Sequence, residues 1–214
     1  NISELVAQFR KKLIGQGHRP ADKTEILTRA RRHLDLSFKP DDQLDANTLA
    51  VINEYRMAPH RFLDARYYRQ IERADYRGAP DQLKTFCYYF YQATRKRGFP
   101  VYAHTVWRSP QLQRQLKREG KSNLSSGAHQ RSAAVDFVHL HHHWEMHRHC
   151  WEYLGEIGKN VARTHGIDIE WGGDWEDPYD PAHWELAQWE DLPEIPEDHS
   201  TLKLTLNQLH RHAT

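Results

Sequence analysis

Two histidines and one aspartate give the clearest chemical signal in this sequence. His129 and Asp136 lie seven positions apart within residues 126–137, and His183 follows within residues 180–185. Zinc hydrolases bind their metal through three protein ligands, with imidazole and carboxylate among the preferred groups, and leave a fourth position for water. The three residues therefore predict a catalytic zinc site.

Such a site would perform hydrolysis, because zinc lowers the pKa of its bound water towards ~7 and polarises a carbonyl. A general base must then take the water's proton. Asp180, three residues before His183, is the natural base if a tight turn places it on the open side of the metal, and Asp177 and Glu185 are the alternatives. Arg108 ends a predicted strand and is expected to stabilise the oxyanion, a contact worth about 2.7–4 kcal/mol.

The residues alone leave other interpretations open. Asp136 is the one charged residue in a predicted strand at 133–140, and a salt bridge or an exposed sheet edge would also account for it. The helix-borne motif HExxH of the common zinc proteases is absent. A dense run of histidines follows the strand, but its spacing favours a solvated junction over a second metal site. The run comprises His139, His141, His142, His143, His147 and His149.

Bulk composition limits the class of protein. The 214 residues suffice for one full domain with a smaller appendage, and 38% hydrophobic with 11% aromatic residues excludes disorder throughout. A net charge of +1 gives no global case for nucleic-acid binding. The arginines at 29, 31 and 32 are expected to form a solvated helix face, with nucleic-acid binding as the alternative.

The cysteines and the lengths of the apolar runs limit the compartments in which the protein is expected. Cys87 and Cys150 are predicted to be buried reduced thiols rather than a disulfide. No run of about 18 apolar residues predicts a membrane span, and the first residues lack the apolar core of a signal peptide. We therefore expect a monomer that is made in the cytoplasm and reaches its site of action after release or export.

Hydrophobic periodicity divides the chain into a helical front part and a mixed remainder. Apolar residues recur at helical spacing in four early segments, residues 2–14, 23–36, 46–56 and 62–71. The sequence Gly-Ala-Pro at 78–80 is the clearest break in composition and predicts a boundary. The expected division is a helical N-terminal region at 1–78, a zinc-site domain at 79–195 and a C-terminal tail at 196–214.

Helix and strand patterns alternate after residue 80. Strands are predicted at 101–107, 133–140, 167–171 and 183–186, and the longest helix at 144–165. The fold class is therefore α+β, with a small antiparallel sheet that carries the zinc site and is flanked by helices. Residues 202–209 are predicted to form a short strand or helix.

Three motifs in the same order resemble a known family. Residues 127–136 resemble SxHxxGxAxD, residues 171–185 resemble WGGDW…DxxH[FW]E, and residues 107–110 resemble a strand that ends in Arg-Ser/Thr-Pro. Together they resemble the zinc D-alanyl-D-alanine carboxypeptidase and L-alanyl-D-glutamate endopeptidase family, most of all its phage endolysin branch. The resemblance implies a hedgehog-like zinc peptidase fold. It also implies that the zinc ligands are His129, Asp136 and His183. The catalytic base would be Asp180, and the arginine that binds substrate would be Arg108.

The same resemblance implies a substrate, the stem peptides of bacterial peptidoglycan. An endopeptidase that cuts between L-alanine and D-glutamate is favoured, because the Glu-Pro-Trp-His sequence of the family's carboxypeptidases is missing here. A carboxypeptidase and a non-catalytic, zinc-stabilised wall-binding module are the alternatives. Substrate contacts are predicted for Ser126, Trp175 and Trp184, with core packing as the alternative for each tryptophan.

Two positions depart from the family pattern. Gly127 replaces a serine two residues before the first histidine, which removes a hydroxyl that could bind substrate. Ser132 replaces a glycine three residues after that histidine, which predicts a slightly different turn. Neither change removes a metal ligand.

Overall fold

The computed structural model describes residues 2–17, 23–123, 126–198 and 202–209. Within these ranges the chain forms eight α-helices and one four-stranded antiparallel sheet, which confirms the α+β class. The helices are α1 Ile2–Gly15, α2 Lys23–Ser37, α3 Ala46–Glu54, α4 Ala65–Ile71, α5 Asp81–Lys96, α6 Pro110–Arg118, α7 Arg148–His165 and α8 Leu206–Leu209. The strands are β1 Val101–Thr105, β2 Ala134–His139, β3 Ile169–Trp171 and β4 His183–Leu186.

The sheet has the strand order β1-β2-β4-β3, and its register positions the site. Every residue of the central strand β2 is buried. Asp136 of β2 lies directly opposite His183 of β4 and opposite Thr105 of β1. Because residues that face each other across an antiparallel pair project to the same side of the sheet, these side chains share one face.

The other face of the sheet is covered by α5 and α7, which pack against each other. Phe90 of α5 contacts Phe137 and Trp184, with ring centroids 4.6 and 5.9 Å apart. Gly158 of α7 lies so close to the sheet that an added Cβ would stand 2.3 Å from the Trp184 ring. A residue without a side chain therefore lets the helix approach the indole at van der Waals distance.

Two predicted helices begin later than their apolar pattern suggested. Asp64 caps α4 by accepting a hydrogen bond from Arg66 N–H (2.8 Å), so the predicted helix 62–71 is split into a 3-10 turn at Pro59–Leu63 and α4. His147 caps α7, so the predicted start at Trp144 was wrong. Buried Met146 lies before the helix and extends its apolar pattern without sharing its backbone conformation.

The N-terminal helices pack on the rest of the molecule through polar as well as apolar contacts. Tyr153 of α7 donates to Asp41 (2.7 Å), and Arg56 donates to both of them (2.7 Å to Asp41 and 2.8 Å to Tyr153). His165 at the end of α7 lies 2.6 Å from Asp35 of α2, and both side chains are buried. The helix α7 therefore connects the sheet to the front part of the chain.

The C-terminal tail forms a short helix and returns to the segment that precedes α5. Leu206 and Leu209 of α8 are buried in the main hydrophobic core. Leu204 O accepts a hydrogen bond from Tyr76 N–H (2.7 Å), and Asp75 accepts one from Leu204 N–H (3.2 Å). Residues 199–201 and 210–214 of the predicted tail lie outside the described residues.

The histidine run forms a turn after β2. His139 is buried, its Nδ1 accepts from the N–H groups of His141 and His142, and its Nε2 donates to Tyr55 O (2.9 Å). Burial lowers the pKa of His139 to about 4. The expectation of a solvated junction is therefore wrong for His139, because its ring organises the turn.

Two further expectations concern the cysteines and the membrane. Cys87 and Cys150 are buried and free, as predicted. In the described part of the chain, no helix combines the length and the apolar character that a membrane crossing requires.

Candidate metal centre and active site

The three predicted ligands come together. One ligand atom from each of His129, Asp136 and His183 lies within 4.8 Å of the other two, and all three residues are buried. Among the described residues, no other group of three histidine, cysteine or acidic side chains is placed in this way. The spacing in the sequence and the register of the sheet therefore lead to the same cluster.

The ring of His129 is held in place by a hydrogen bond from the nitrogen that faces away from Asp136. His129 lies in a 3-10 turn at Ala128–Arg131, and its Nδ1 donates to the carbonyl oxygen of Val106 (2.8 Å). Its Nε2 then faces Asp136 Oδ1 at 3.2 Å. A histidine whose second nitrogen donates to a carbonyl presents an unprotonated nitrogen to a metal, in a fixed orientation.

The ring of His183 is fixed by a carboxylate. Its Nδ1 lies 3.0 Å from Asp136 Oδ1, and its Nε2 donates to Glu185 Oε2 (2.8 Å). The other oxygen of Glu185 accepts from Trp189 Nε1 (3.0 Å). Glu185 therefore supports His183 from behind, a position that does not suit the alternative role of general base. Its position two residues after His183 on one strand, hence on the same face, was the sequence signal for this role.

The charges in this cluster suit a divalent cation. Burial opposes the charge on Asp136, yet the two histidines hold the pKa of its carboxyl well below the usual range. Burial also opposes the charge on His183, but its bonds to Asp136 and Glu185 raise its pKa to about 10. The donor set consists of two imidazoles, each with a hydrogen-bond partner behind its ring, and one carboxylate. Such a set fits zinc.

Arg108 lies beside this cluster, just after β1. Its backbone N–H donates to His129 O (3.1 Å), and its Nη2 lies 3.4 Å from Asp136 Oδ2. Its Nη1 donates to Gln113 of α6 (3.1 Å), a buried residue that no sequence pattern singled out. Ser109 caps α6 and accepts from Leu112 N–H (3.1 Å). The start of α6 therefore helps to hold the guanidinium in place.

Asp180 lies in the loop between β3 and β4. The loop is closed by a bond from Trp171 Nε1 to Pro181 O (2.9 Å) and by one from Asp180 N–H to Gly172 O (3.1 Å). A Cβ on Gly172 would stand 2.3 Å from Asp180 O, so the close approach requires glycine. The loop thereby brings Asp180 back towards the cluster.

The electrostatics of Asp180 distinguish it from the other acidic candidate in this loop. Burial and the nearby charge of Asp136 raise the pKa of Asp180, while His183 and His129 act in the opposite direction. Asp180 therefore lies within electrostatic reach of all three ligands. Asp177 is exposed. Of these two acids, Asp180 is the one that is partly buried and lies beside the three predicted ligands.

The predicted substrate residues occupy different environments. The ring of Trp175 lies 5.3 Å from that of His183, at the border of the cluster. Trp184 is 2% exposed and packs on Trp171, a position that favours core packing. Ser126 accepts from Arg131 Nη1 (2.9 Å) and donates to Glu194. Contact of Ser126 or Trp175 with a substrate stays a prediction.

The turn after His129 contains a residue in a backbone conformation that favours glycine. Ser132 has φ 50° and ψ 31°, in the left-handed region that favours glycine. Its hydroxyl donates to Arg77 O, so a new hydrogen bond accompanies the strained backbone. The expectation of a slightly different turn stays a prediction. Gly127 is extended, and its N–H donates to Gln130 Oε1 (2.6 Å).

Comparisons with known proteins include a likeness to a solved structure. No protein-family model matches the chain, and no curated protein matches it significantly. Among solved structures, the chain is similar to the L-Ala D-Glu endopeptidase ChiX of Serratia marcescens, with 27% identity over 57% of this chain and 86% of that chain. The TM-score is 0.42, which does not by itself establish a common fold.

Proposed function

We propose that this protein is a zinc-dependent peptidase that hydrolyses the stem peptides of bacterial peptidoglycan, at the bond between L-alanine and D-glutamate. The observation that carries the proposal is the buried set of His129, Asp136 and His183, in which both imidazoles are oriented from behind. The three motifs described above support the choice of substrate. A carboxypeptidase that removes terminal D-alanine is the alternative.

The protein's own groups have complementary roles in such a reaction. Zinc in this site would supply a Lewis acid and an activated water. Asp180, with its raised pKa, takes the proton of the attacking water and passes it to the leaving amine. Arg108, held by Gln113 and by Asp136, stabilises the oxygen on which negative charge develops.

The test is a digestion of purified peptidoglycan by the zinc-loaded protein, with mass spectrometry of the released fragments. We expect new amino termini on D-glutamate. Release of free D-alanine would identify the carboxypeptidase instead. If peptidoglycan of several bacterial types gives neither product, the enzyme proposal fails and a wall-binding module takes its place.

Asp180→Ala tests the role of the base. The variant is expected to keep its zinc, measured by elemental analysis, and to lose hydrolysis by at least about 100-fold, since general base catalysis typically contributes 10²–10⁴-fold. Asp177→Ala is the matched control, because it removes an exposed carboxylate from the same loop. Equal activity of the two variants would contradict the assignment.

A further inference from the structure

A histidine without an assigned role lies on the same face of the sheet as the metal ligands. Tyr102 of β1 lies opposite Val138, two residues from Asp136, and therefore projects to the Asp136 side. The register shifts between Ala103 and Thr105, which leaves His104 as the extra residue of a β-bulge. Bulges re-aim side chains and are frequent beside active sites.

The contacts of His104 leave one ring nitrogen open. Its Nδ1 lies 2.9 Å from Thr105 Oγ1, and its ring meets the edge of Trp144 with centroids 4.6 Å apart. In the described residues, its Nε2 has no hydrogen-bond partner. When the Thr105 hydroxyl donates to Nδ1, Nε2 carries the proton and is an available donor. Trp144 is 47% exposed, so this part of the surface is open to solvent.

Two guanidinium groups lie near His104. Arg108 follows it by four residues, and the bond from Trp107 N–H to Asp75 O (2.9 Å) holds the segment that contains Arg73 beside the end of β1. Burial lowers the pKa of His104 to about 4, and the charges of Arg73 and Arg108 contribute to the lowering, while Asp136 acts against it. Arg73 also acts on Tyr102, the neighbour of His104 on this face. Arg73 is exposed and has no salt bridge within the described ranges. The surface beside the metal ligands therefore combines positive charge with a neutral N–H donor.

We propose that His104 and Arg73 form a carboxylate-binding subsite beside the metal centre, which takes the free carboxylate of a D-glutamyl residue in the substrate. The inference rests on the proposed function. Glutamate that is joined through one carboxyl group keeps the other as an anion, next to the bond that is cut. A guanidinium and an imidazole N–H both donate to a carboxylate, and a charged partner shortens and strengthens such bonds.

The consequence is a preference between two peptides that differ in one group. One is an L-alanyl-D-glutamyl peptide with the free carboxylate, and the other carries an amide at that position. We expect the wild-type zinc protein to cleave both, with a lower KM for the acid than for the amide. The preference should weaken in high salt, because exposed charges are screened.

Arg73→Gln is the decisive variant, with Arg69→Gln as its matched control. Both arginines are exposed, Arg69 within α4 and Arg73 two residues after its end, and the charge of Arg73 contributes to the lowered pKa of His104. Arg73→Gln is expected to raise the KM for the acid about two- to fivefold, the effect of losing one exposed charge, to leave kcat nearly unchanged and to remove the preference. Arg73→Lys keeps the charge without the planar fork and should restore part of the preference. Arg69→Gln should behave as the wild type.

Equal KM values of the wild type for the acid and the amide would overturn the subsite, as would identical effects of Arg73→Gln and Arg69→Gln. If the wild type cleaves neither peptide, the proposed function fails, and the subsite is then tested by the binding of the two peptides. Fluorescence anisotropy with labelled peptides then measures it. Tighter binding of the acid that Arg73→Gln removes supports the subsite, while equal or undetectable binding of the two peptides overturns it.

Discussion

At the scale of single residues, the orientation of the candidate metal ligands depends on the groups that bond to their far side. Val106 O fixes one imidazole and Glu185 fixes the other, so each presents a defined nitrogen to Asp136. Without a metal, His183 carries a proton that both neighbouring carboxylates stabilise. A cation that enters the site must displace this proton, which couples metal binding to pH.

Zinc binding at pH 7 is therefore expected to release at least one proton per metal ion. Because the pKa of His183 is raised to about 10, the group is protonated at neutral pH, and the apparent zinc affinity should increase about tenfold per pH unit as pH rises from 7 towards that value. Calorimetric titration in two buffers of different ionisation enthalpy measures the number of protons. His183→Ala is the control and should bind zinc weakly. Zinc binding without proton release would contradict the prediction.

The sequence predicted the cluster of His129, Asp136 and His183 but not most of the groups that support it. His129, Asp136 and His183 have the residue types that zinc takes, so residue type and order in the sequence were enough to predict the cluster. Val106 acts through its backbone carbonyl, which carries no sequence signal. Gln113 is a polar residue and the buried one of its helix, and its burial follows from its bonds to Arg108 and to Gln130 in the turn at 128–131.

At the scale of elements, the approach of α7 to the sheet determines the core. Gly158 faces Trp184 and Gly155 faces Trp171, each at a distance that excludes a Cβ. Two indoles that stack on each other, with centroids 5.7 Å apart, thus fill the space between helix and strands. The apolar spacing of α7 predicted a helix. In a sequence, however, a glycine that enables close packing looks the same as a glycine that a helix merely tolerates.

Gly158→Ala is expected to destabilise the protein by about 1–3 kcal/mol, because the added methyl group overpacks the core. Helix propensity alone predicts the opposite, a gain of about 1 kcal/mol. Glu156→Ala, at an exposed position of the same helix, is the control and should change stability by less than about 0.5 kcal/mol. Urea unfolding measures both, and a more stable Gly158→Ala would disprove the packing argument.

At the scale of the whole molecule, contacts between distant segments join the predicted regions. Tyr153 connects α7 with Asp41 and Arg56, and Gly78 packs against Ile195. These pairs are far apart in sequence, so no local pattern could have predicted them. The helical segments themselves were predictable from periodicity, whereas their docking was not. The division at residues 78 and 195 stays a prediction.

Tyr153→Phe should destabilise the protein by about 1 kcal/mol, because it removes one hydrogen bond to Asp41 and one from Arg56 and leaves their ion pair in place. Tyr179→Phe is the control, since that side chain is exposed and its ring still meets Arg148. Thermal unfolding of both variants measures the difference. Equal melting temperatures would show that the Tyr153 hydroxyl does not hold α7 to the front part of the chain.

The direct pairing of Asp136 with His183 has a consequence for the way the sheet finds its register. A slip of one residue between β2 and β4 would turn His183 to the opposite face and separate the ligands. Only the native pairing can then bind a divalent cation tightly. Metal binding would thus stabilise the correctly paired chain and not chains with a slipped register.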